Sequence, residues 1–190
     1  MNVLAIDCTR KAVTVAVKKK GKWFSCDAVA APASVSVNCA IEKVLSEARL
    51  KYAAIDVYCC NVGPGSFTGI RVSVAAIKGL NFGFEKKIIS VNTFELAAYN
   101  TQEAKEVLVP DNRGYFCAKV ENGATVSLPE HIDFADKKLT GDEIVFDENG
   151  DWTQALQIVC DRKIENGEFS QDFTPLYIRK SQAEELHGKR

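Results

Sequence analysis

Residues 3–7, Val-Leu-Ala-Ile-Asp, run apolar until they reach the polar cluster Asp7-Cys8-Thr9-Arg10. That pattern predicts a buried strand ending in a polar turn. Val13, Val15 and Val17 then alternate with Thr14, Ala16 and Lys18, which predicts a half-buried strand over 12–18. Lys18-Lys19-Lys20-Gly21-Lys22 reads as a charged turn, and Trp23 to Val29 as the returning strand, so the chain opens as a three-stranded meander. Next, Val37, Ala40, Ile41, Val44, Leu45 and Ala48 recur at helical spacing opposite Asn38, Glu42, Lys43, Ser46, Glu47 and Arg49. They predict an amphipathic first helix, with Ser34 or Ser36 able to cap it. Ile55 to Val62 predicts a second buried strand, which runs into a glycine-rich turn.

The second helix, about Ser66 to Phe84, has a different pattern. Ile70, Val72, Val74, Ile77, Leu80, Phe82 and Phe84 cover nearly its whole circumference, and Arg71, Lys78 and Glu85 share one narrow stripe. A helix apolar nearly all round is buried on more than one side. One face packs on the sheet. The other needs a neighbouring helix or another protein, and the pattern alone leaves both open. Gly79 and Gly83 would permit close approach in either case.

Lys87 to Val91 predicts another strand, and Thr93 to Asn100 a short helix capped by Asn92 or Thr93. A boundary follows, dividing the chain into 1–100 and 101–190, with the C-terminal segment able to return to the first part. Val107-Leu108-Val109 leads into the turn Pro110-Asp111-Asn112-Arg113-Gly114. Tyr115 to Glu121 is the partner strand, and Asn122-Gly123 signals a two-residue hairpin. Ile144 to Phe146 and Gln157 to Cys160 read as short strands, and the polar tail from Ser181 as helical or frayed.

Charge narrows the function. With 24 Lys and Arg against 25 Asp and Glu, the formal net charge is -1, which argues against a protein that grips nucleic acid alone through a basic surface. The lysine-rich turn accordingly reads as a solvated hairpin tip. No apolar run approaches the roughly 20 residues of a membrane span. The N-terminus lacks the pattern of a signal peptide, so a cytoplasmic protein is expected. Seven cysteines without a CxxC pair point to small apolar core residues. Two distant histidines give no basis for a metal site.

The most informative segment is the turn between the second buried strand and the second helix: Gly63, Pro64, Gly65, Ser66, Thr68 and Gly69. Its glycines allow close backbone approach, and Ser66 can cap the helix. Such turns bind phosphate in many folds. This one fails as a Walker A loop, because Thr68 and Ile70 stand where glycine is required. It is a near miss for a dinucleotide fingerprint, and the strand after it ends without an acidic residue for a ribose.

The stretch GPGSFTGIRVSVAAIKGL, residues 63–80, resembles the signature of the TsaB family, also called YeaZ. Leu4 to Thr9 resembles that family's opening segment, Asp111 and Arg113 its Asp-Ala-Arg turn, and Thr174 to Arg179 its C-terminal Pro-x-Tyr-x-Arg segment. The resemblance implies an α/β, actin-like and Hsp70-like (ASKHA) architecture of two ribonuclease-H-like half-domains, the second reduced. It implies a non-catalytic scaffold for TsaD, the ATP- and metal-binding subunit, working with TsaE. Together they make N6-threonylcarbamoyladenosine at position 37 of tRNAs reading ANN codons. Cofactors are then expected on TsaD and not on this chain, with tRNA met indirectly and a homodimer formed when the chain is alone. The resemblance also assigns partner binding to Ile70, Arg71, Val74, Ile77, Lys78 and Asn81 of the second helix, with Ile41 and Leu45 of the first.

Asp7 and Thr9 sit where this architecture has its first phosphate loop, and Asp111 and Arg113 where it has the second. Neither loop is glycine-rich, so a degenerate nucleotide site is expected. The competing reading is an ATP- and Mg²⁺-dependent phosphotransferase or hydrolase using Asp7, Thr9 and Asp111. The chain departs from the family at Val37-Asn38, where many members carry His-Ser.

Overall fold

The computed structural model describes residues 1–28, 32–170 and 172–178. Val29, Arg179 and the tail from Ser181 lie outside the described residues. Five strands form the first sheet: β1 (Val3–Asp7), β2 (Val13–Lys19), β3 (Lys22–Ala28), β4 (Val57–Asn61) and β5 (Lys87–Val91), in the order β3-β2-β1-β4-β5. β1 pairs antiparallel with β2 and parallel with β4, and β4 pairs parallel with β5.

Both faces of this sheet are covered, which explains its continuous apolar runs. Leu4, Ile6, Val15, Val17, Tyr58 and Cys60 face α1 (Ala33–Ala48) and α2 (Phe67–Asn81). Val3, Ala5, Ala16, Val57 and Cys59 face the opposite core. Adjacent residues of a strand point to opposite faces, so Cys59 and Cys60 enter different cores. For the same reason β2 is not half-buried as its alternation suggests, since Val13 through Val17 are all buried. Of the seven cysteines, five are buried core residues, while Cys26 is half-buried and Cys39 is exposed on α1. The N-cap position of α1 is Pro32, not Ser34 or Ser36, and it makes no side-chain cap. The short helix α3 (Thr93–Ala97) starts with a capping box between Asn92 and Glu95.

The second sheet contains β6 (Lys105–Pro110), β7 (Gly114–Glu121), β8 (Ala124–Thr125), β9 (Glu130–Asp133) and β10 (Ile144–Val145). β6 pairs antiparallel with β7 and parallel with β10, and β7 also pairs with β9. The spatial order β10-β6-β7-β9 repeats β4-β1-β2-β3 of the first sheet, without a counterpart of β5. This is the actin-like architecture with a shortened second half. Asn122 and Gly123 form the β7–β8 hairpin with φ of 50° and 72°, as their type predicts.

Gln157 to Cys160 is not a strand. It lies within α4 (Trp152–Glu165), which Asp151 caps by accepting a hydrogen bond from the Gln154 N–H. Trp152, Ala155, Leu156, Val159 and Cys160 are buried at helical spacing, a period that a four-residue apolar window cannot distinguish from a strand. α4 supplies the second core of the first sheet, packing on Val3, Val57 and Ile89. Chain from beyond residue 101 therefore completes the first sheet.

The segment after α4 does so too. Ser170 N–H donates to Ile88 O at 2.8 Å, Asp172 pairs with Lys78 at 2.7 Å, and Phe173 is buried beneath α2. Leu176 N–H donates to Val62 O at 2.8 Å. Residues 172–178 thus strap α2 from its C-terminal end back to its first turn. The sheet, α1 and this strap together account for most of the apolar circumference of α2.

Candidate functional site

The carboxyl ends of two parallel neighbours, β1 and β4, bring Asp7 and Asn61 together at the place where open α/β sheets bind ligands. Asp7 is 1% exposed. Its Oδ1 accepts from Thr9 N–H at 2.8 Å, Thr9 Oγ1 at 2.7 Å and Asn61 Nδ2 at 3.1 Å. Asn61 also donates to Thr9 Oγ1 and Thr93 Oγ1, and accepts from Gly63 N–H. One buried amide therefore ties the ends of β1 and β4 to the glycine turn and to α3.

Among the described residues Asp7 Oδ2 makes no hydrogen bond, and neither does the Arg10 Nε that faces it at 3.6 Å. The Arg10 side chain is 6% exposed. Its guanidinium stacks on Trp152, with Cζ 5.1 Å from the ring centroid, and donates to Thr14 Oγ1. A divalent cation needs free carboxylate oxygens. Here one oxygen of Asp7 is saturated and a fixed guanidinium faces the other, so these residues do not fit a magnesium ion. Among the described residues, no group of three or more His, Cys, Asp or Glu could hold a metal ion. Cys8 is no nucleophile either. Burial pushes its thiol up to about 12, with the Ser73 hydrogen bond working against that rise and Asp7 adding to it.

Thr9, Arg10, Ser66, Asp111 and Glu148 line a cleft of about 460 Å³ between the two sheets. The structure therefore brings Thr9 and Asp111 to one cavity, with Asp7 behind it. Asp111 works as a turn former. Its Oδ1 accepts from Arg113 N–H at 2.7 Å and Gly114 N–H at 2.8 Å, with His131 Nε2 at 3.2 Å. Burial alone would raise its pKa, but those two N–H groups and the His131 ring outweigh burial and lower it. Asn61, Thr93 and Arg10 are the site residues that sequence reasoning missed. A lone Asn closing an otherwise apolar strand, and an Arg three positions after a strand-end Asp, were the signals available.

The glycine turn behaves as its composition predicts. Ser66 caps α2 by accepting from Gly69 N–H at 3.2 Å, and the Gly63-Pro64 peptide is cis. Gly69 has to be glycine, because a Cβ there would sit 1.7 Å from Cys8 O. Pro64 is buried and its carbonyl accepts from Thr93 Oγ1. Gly65 and Thr68 are exposed.

The expected partner-binding residues divide sharply. Ile41, Leu45, Ile70, Val74 and Ile77 are 0–8% exposed and belong to the core between α1, α2 and the sheet. The sheet occupies that side of each helix, so these side chains are covered within the chain itself. Arg71 and Lys78 are exposed and Asn81 is half-buried. The outward stripe of α2 is Phe67, Arg71, Ala75 and Lys78, with Gly79 beside it and Phe82 just past its end. Phe82 is 88% exposed.

Residues 28–137 match the family described as TsaD, tRNA N6-adenosine threonylcarbamoyltransferase. The chain belongs to that family. Relatives and structural neighbours of the chain bear the names TsaB and YeaZ. The chain is 28% identical over 123 residues to the tRNA threonylcarbamoyladenosine biosynthesis protein TsaB of Buchnera aphidicola subsp. Schizaphis graminum, covering 58% of this chain and 54% of that protein. It is 27% identical over 112 residues to TsaB of Haemophilus influenzae, covering 57% and 48%. The chain spans about half the length of the curated relatives it matches. The structure of YeaZ from Pseudomonas aeruginosa superimposes with a TM-score of 0.73 at 18% identity, covering 90% of this chain and 96% of that one. A second structure, described as an uncharacterized protein with similarity to peptidase YeaZ from Pseudomonas aeruginosa, gives 0.78 at 18% identity over 94% and 99%. At that identity the superpositions establish the YeaZ fold. The stretch that resembles the TsaB signature, residues 63–80, maps onto the glycine turn and α2, and Tyr177 of the C-terminal segment closes over the same helix. Arg179 of that segment lies outside the described residues.

Proposed function

We propose that this chain is a non-catalytic subunit in the biosynthesis of threonylcarbamoyladenosine in tRNA, presenting the outer stripe of α2 to a TsaD-type partner. The observation that carries this reading is the stripe itself. Ala75 and Gly79 leave a shallow path along the helix, bounded by Phe67 at 43% and Phe82 at 88% exposure. Phe84, 45% exposed, extends the apolar end. Exposed aromatics flanking small residues suit a helix-against-helix interface, since small residues let backbones approach and aromatics supply most of the buried area. The same stripe on two copies would give the homodimer expected in the partner's absence. The non-catalytic part of the reading is supported by the Asp7–Arg10 pair, which sets a side-chain cation where an ATP-using member of this fold needs a metal. ATP, metal and the chemistry then belong to the partner, with TsaE as the third component.

Reconstitution tests the reading. TsaD and TsaE of the same organism should modify unmodified tRNA with this chain present and lose most of that activity without it. Equal modification in its absence sinks the proposal.

A further inference from the structure

The near-neutral net charge hides a strong asymmetry. Residues 1–100 carry 13 Lys and Arg against 7 Asp and Glu, while residues 101–170 carry 7 against 15. The first-half cations are not spread evenly. β1, β4 and β5 begin at the end of the sheet opposite the cleft, and the β2–β3 hairpin turns at that same end. Register places Lys18 beside Val3, Lys22 beside Lys19, and Lys87 beside Val57. α1 finishes there as well. Lys19 Nζ donates to Ala48 O at 2.8 Å and to Arg49 O at 3.0 Å, tying the hairpin to the helix C-terminus. That contact brings the end of α1, with Arg49 and, two residues on, Lys51, to the hairpin that carries Lys20 and Lys22, about 30 positions earlier in the sequence.

Lys20, Lys22, Arg49, Lys51 and Lys87 are exposed, and none forms an ion pair among the described residues. Acids near this end are Glu42, which faces Tyr52, Glu47, Asp56, Glu85, Asp161 and Glu168, the last paired with Lys163 at 2.9 Å. Asp161 is taken by Lys18 at 2.7 Å, and Asp56 accepts from Asn2 N–H at 2.7 Å. Aromatic rings interleave the cations. Tyr52 is 36% exposed, Lys22 lies over Phe24, and Lys87 lies over Phe169. From the β3 flank to the β5 flank is four strand spacings, about 19 Å, so the cations span several phosphates of a nucleic-acid strand.

We propose that Lys19, Lys20, Lys22, Arg49 and Lys51, with Lys87 at the far flank, form a contact surface for the phosphate backbone of RNA. The second sheet, within residues 101–150 that carry 5 Lys and Arg against 11 Asp and Glu, lies across the cleft at the other end of the first sheet and would repel the polyanion from that approach. Such contacts position an RNA without reading its sequence. The choice of RNA as polyanion rests on the tRNA-modification reading above, while the surface rests on charge placement alone.

The test is fluorescence anisotropy of an unmodified tRNA transcript with the full chain, titrated at several KCl concentrations. The variant carries Lys20→Gln, Lys22→Gln, Arg49→Gln and Lys51→Gln. Lys19 is kept because it caps α1. A control carries Lys119→Gln and Lys138→Gln, both exposed on the second half. Each lost phosphate contact should flatten the salt slope by about 0.7–0.9, and the four together should weaken binding at least about tenfold at low salt. The control should bind as the parent does. Equal binding and slope for parent and variant overturns the proposal, as does an equal loss in the control. Binding to vesicles containing about one-third phosphatidylserine that the variant loses, with RNA binding unchanged, assigns the surface to a membrane and also overturns it. The two readings fail separately. RNA binding lost in the variant while reconstituted modification never needs the chain removes the scaffold role alone. Modification that needs the chain while parent and variant bind RNA alike removes the RNA surface alone.

Discussion

Arg71 and Tyr177 stand 106 positions apart, yet the Arg71 Nε–H donates to the Tyr177 hydroxyl at 3.3 Å. Arg71 also lies over the Phe67 ring at 4.0 Å, and the Phe67 and Tyr177 rings are 5.4 Å apart. The end of the strap is thereby fastened to the first turn of α2. Tyr177→Ala should cost about 0.5–1.5 kcal/mol, the range of one hydrogen bond plus a partly exposed ring contact. Urea unfolding would measure it. An unchanged midpoint would mean that the contact adds nothing to stability.

Two glycines of α2 should respond in opposite ways. At Gly69 a Cβ would meet Cys8 O at 1.7 Å, so Gly69→Ala must push the helix off β1 and should cost several kcal/mol, on the order of a severe core overpacking. At Gly79 a Cβ would meet nothing within 4 Å among the described residues, and Gly79→Ala should stabilise the isolated chain by about 0.5–1 kcal/mol through helix propensity. Thermal melts of the two variants should move in opposite directions.

A charge on α2 should separate core from surface. Ile77 is fully buried, so Ile77→Glu places an unpaired carboxylate among apolar side chains and should leave the chain unfolded. Ala75 and Phe82 are exposed, and Ala75→Glu or Phe82→Glu should leave the circular dichroism spectrum and melting temperature of the isolated chain nearly unchanged. On size exclusion with a TsaD-type partner, the exposed variants should run as separate components. A complex that survives both would remove α2 as the interface.

The Asp7–Arg10 pair gives a further expectation. Arg10→Met strands a carboxylate that is 1% exposed, a loss on the order of 3 kcal/mol. Adding Asp7→Asn removes the stranded charge and should recover part of that loss. A double-mutant cycle from denaturant unfolding measures the coupling, and strictly additive losses would show that the two groups do not interact.

The strap should loosen in acid. The Lys78 ammonium and the Phe173 N–H lower the Asp172 pKa. A carboxyl whose pKa is lower folded than unfolded contributes stability above its ordinary titration range, and loses it as pH falls through its folded pKa. Amide protection at Phe173 and Leu176 should therefore hold at neutral pH and drop below about pH 4, with Asp172→Asn showing reduced protection throughout. The same acid-induced drop in Asp172→Asn would point to other carboxyls.

Much of the first half is legible in the chain itself. The meander, α1, and the glycine turn with Ser66 as cap follow from apolar period and turn chemistry, because these elements are decided by neighbours within a few residues. The resemblance carried by residues 63–80 is readable for the same reason, being one continuous stretch. α4 is where pattern and structure part most. Its buried positions are helical, but the apolar run from Gln157 to Cys160 is too short to show the period by itself.

What only tertiary structure decides is which of two chemically similar residues faces the protein and which faces water. Ile77 and Ala75 both look available on a helix that is apolar nearly all round. The strap from 172 to 178, arriving from the far end of the chain, closes one flank of that helix and leaves Ala75, Gly79 and Phe82 outside. Asp7 looks like a free strand-end carboxylate until Arg10 and Asn61 fold over it. The lysine-rich hairpin looks like an ordinary solvated tip until Lys19 binds the last carbonyls of α1 and draws Arg49 and Lys51 beside it. Local sequence sets period, caps and turns. Long-range contacts set exposure and electrostatic neighbours, and both proposed surfaces rest on those.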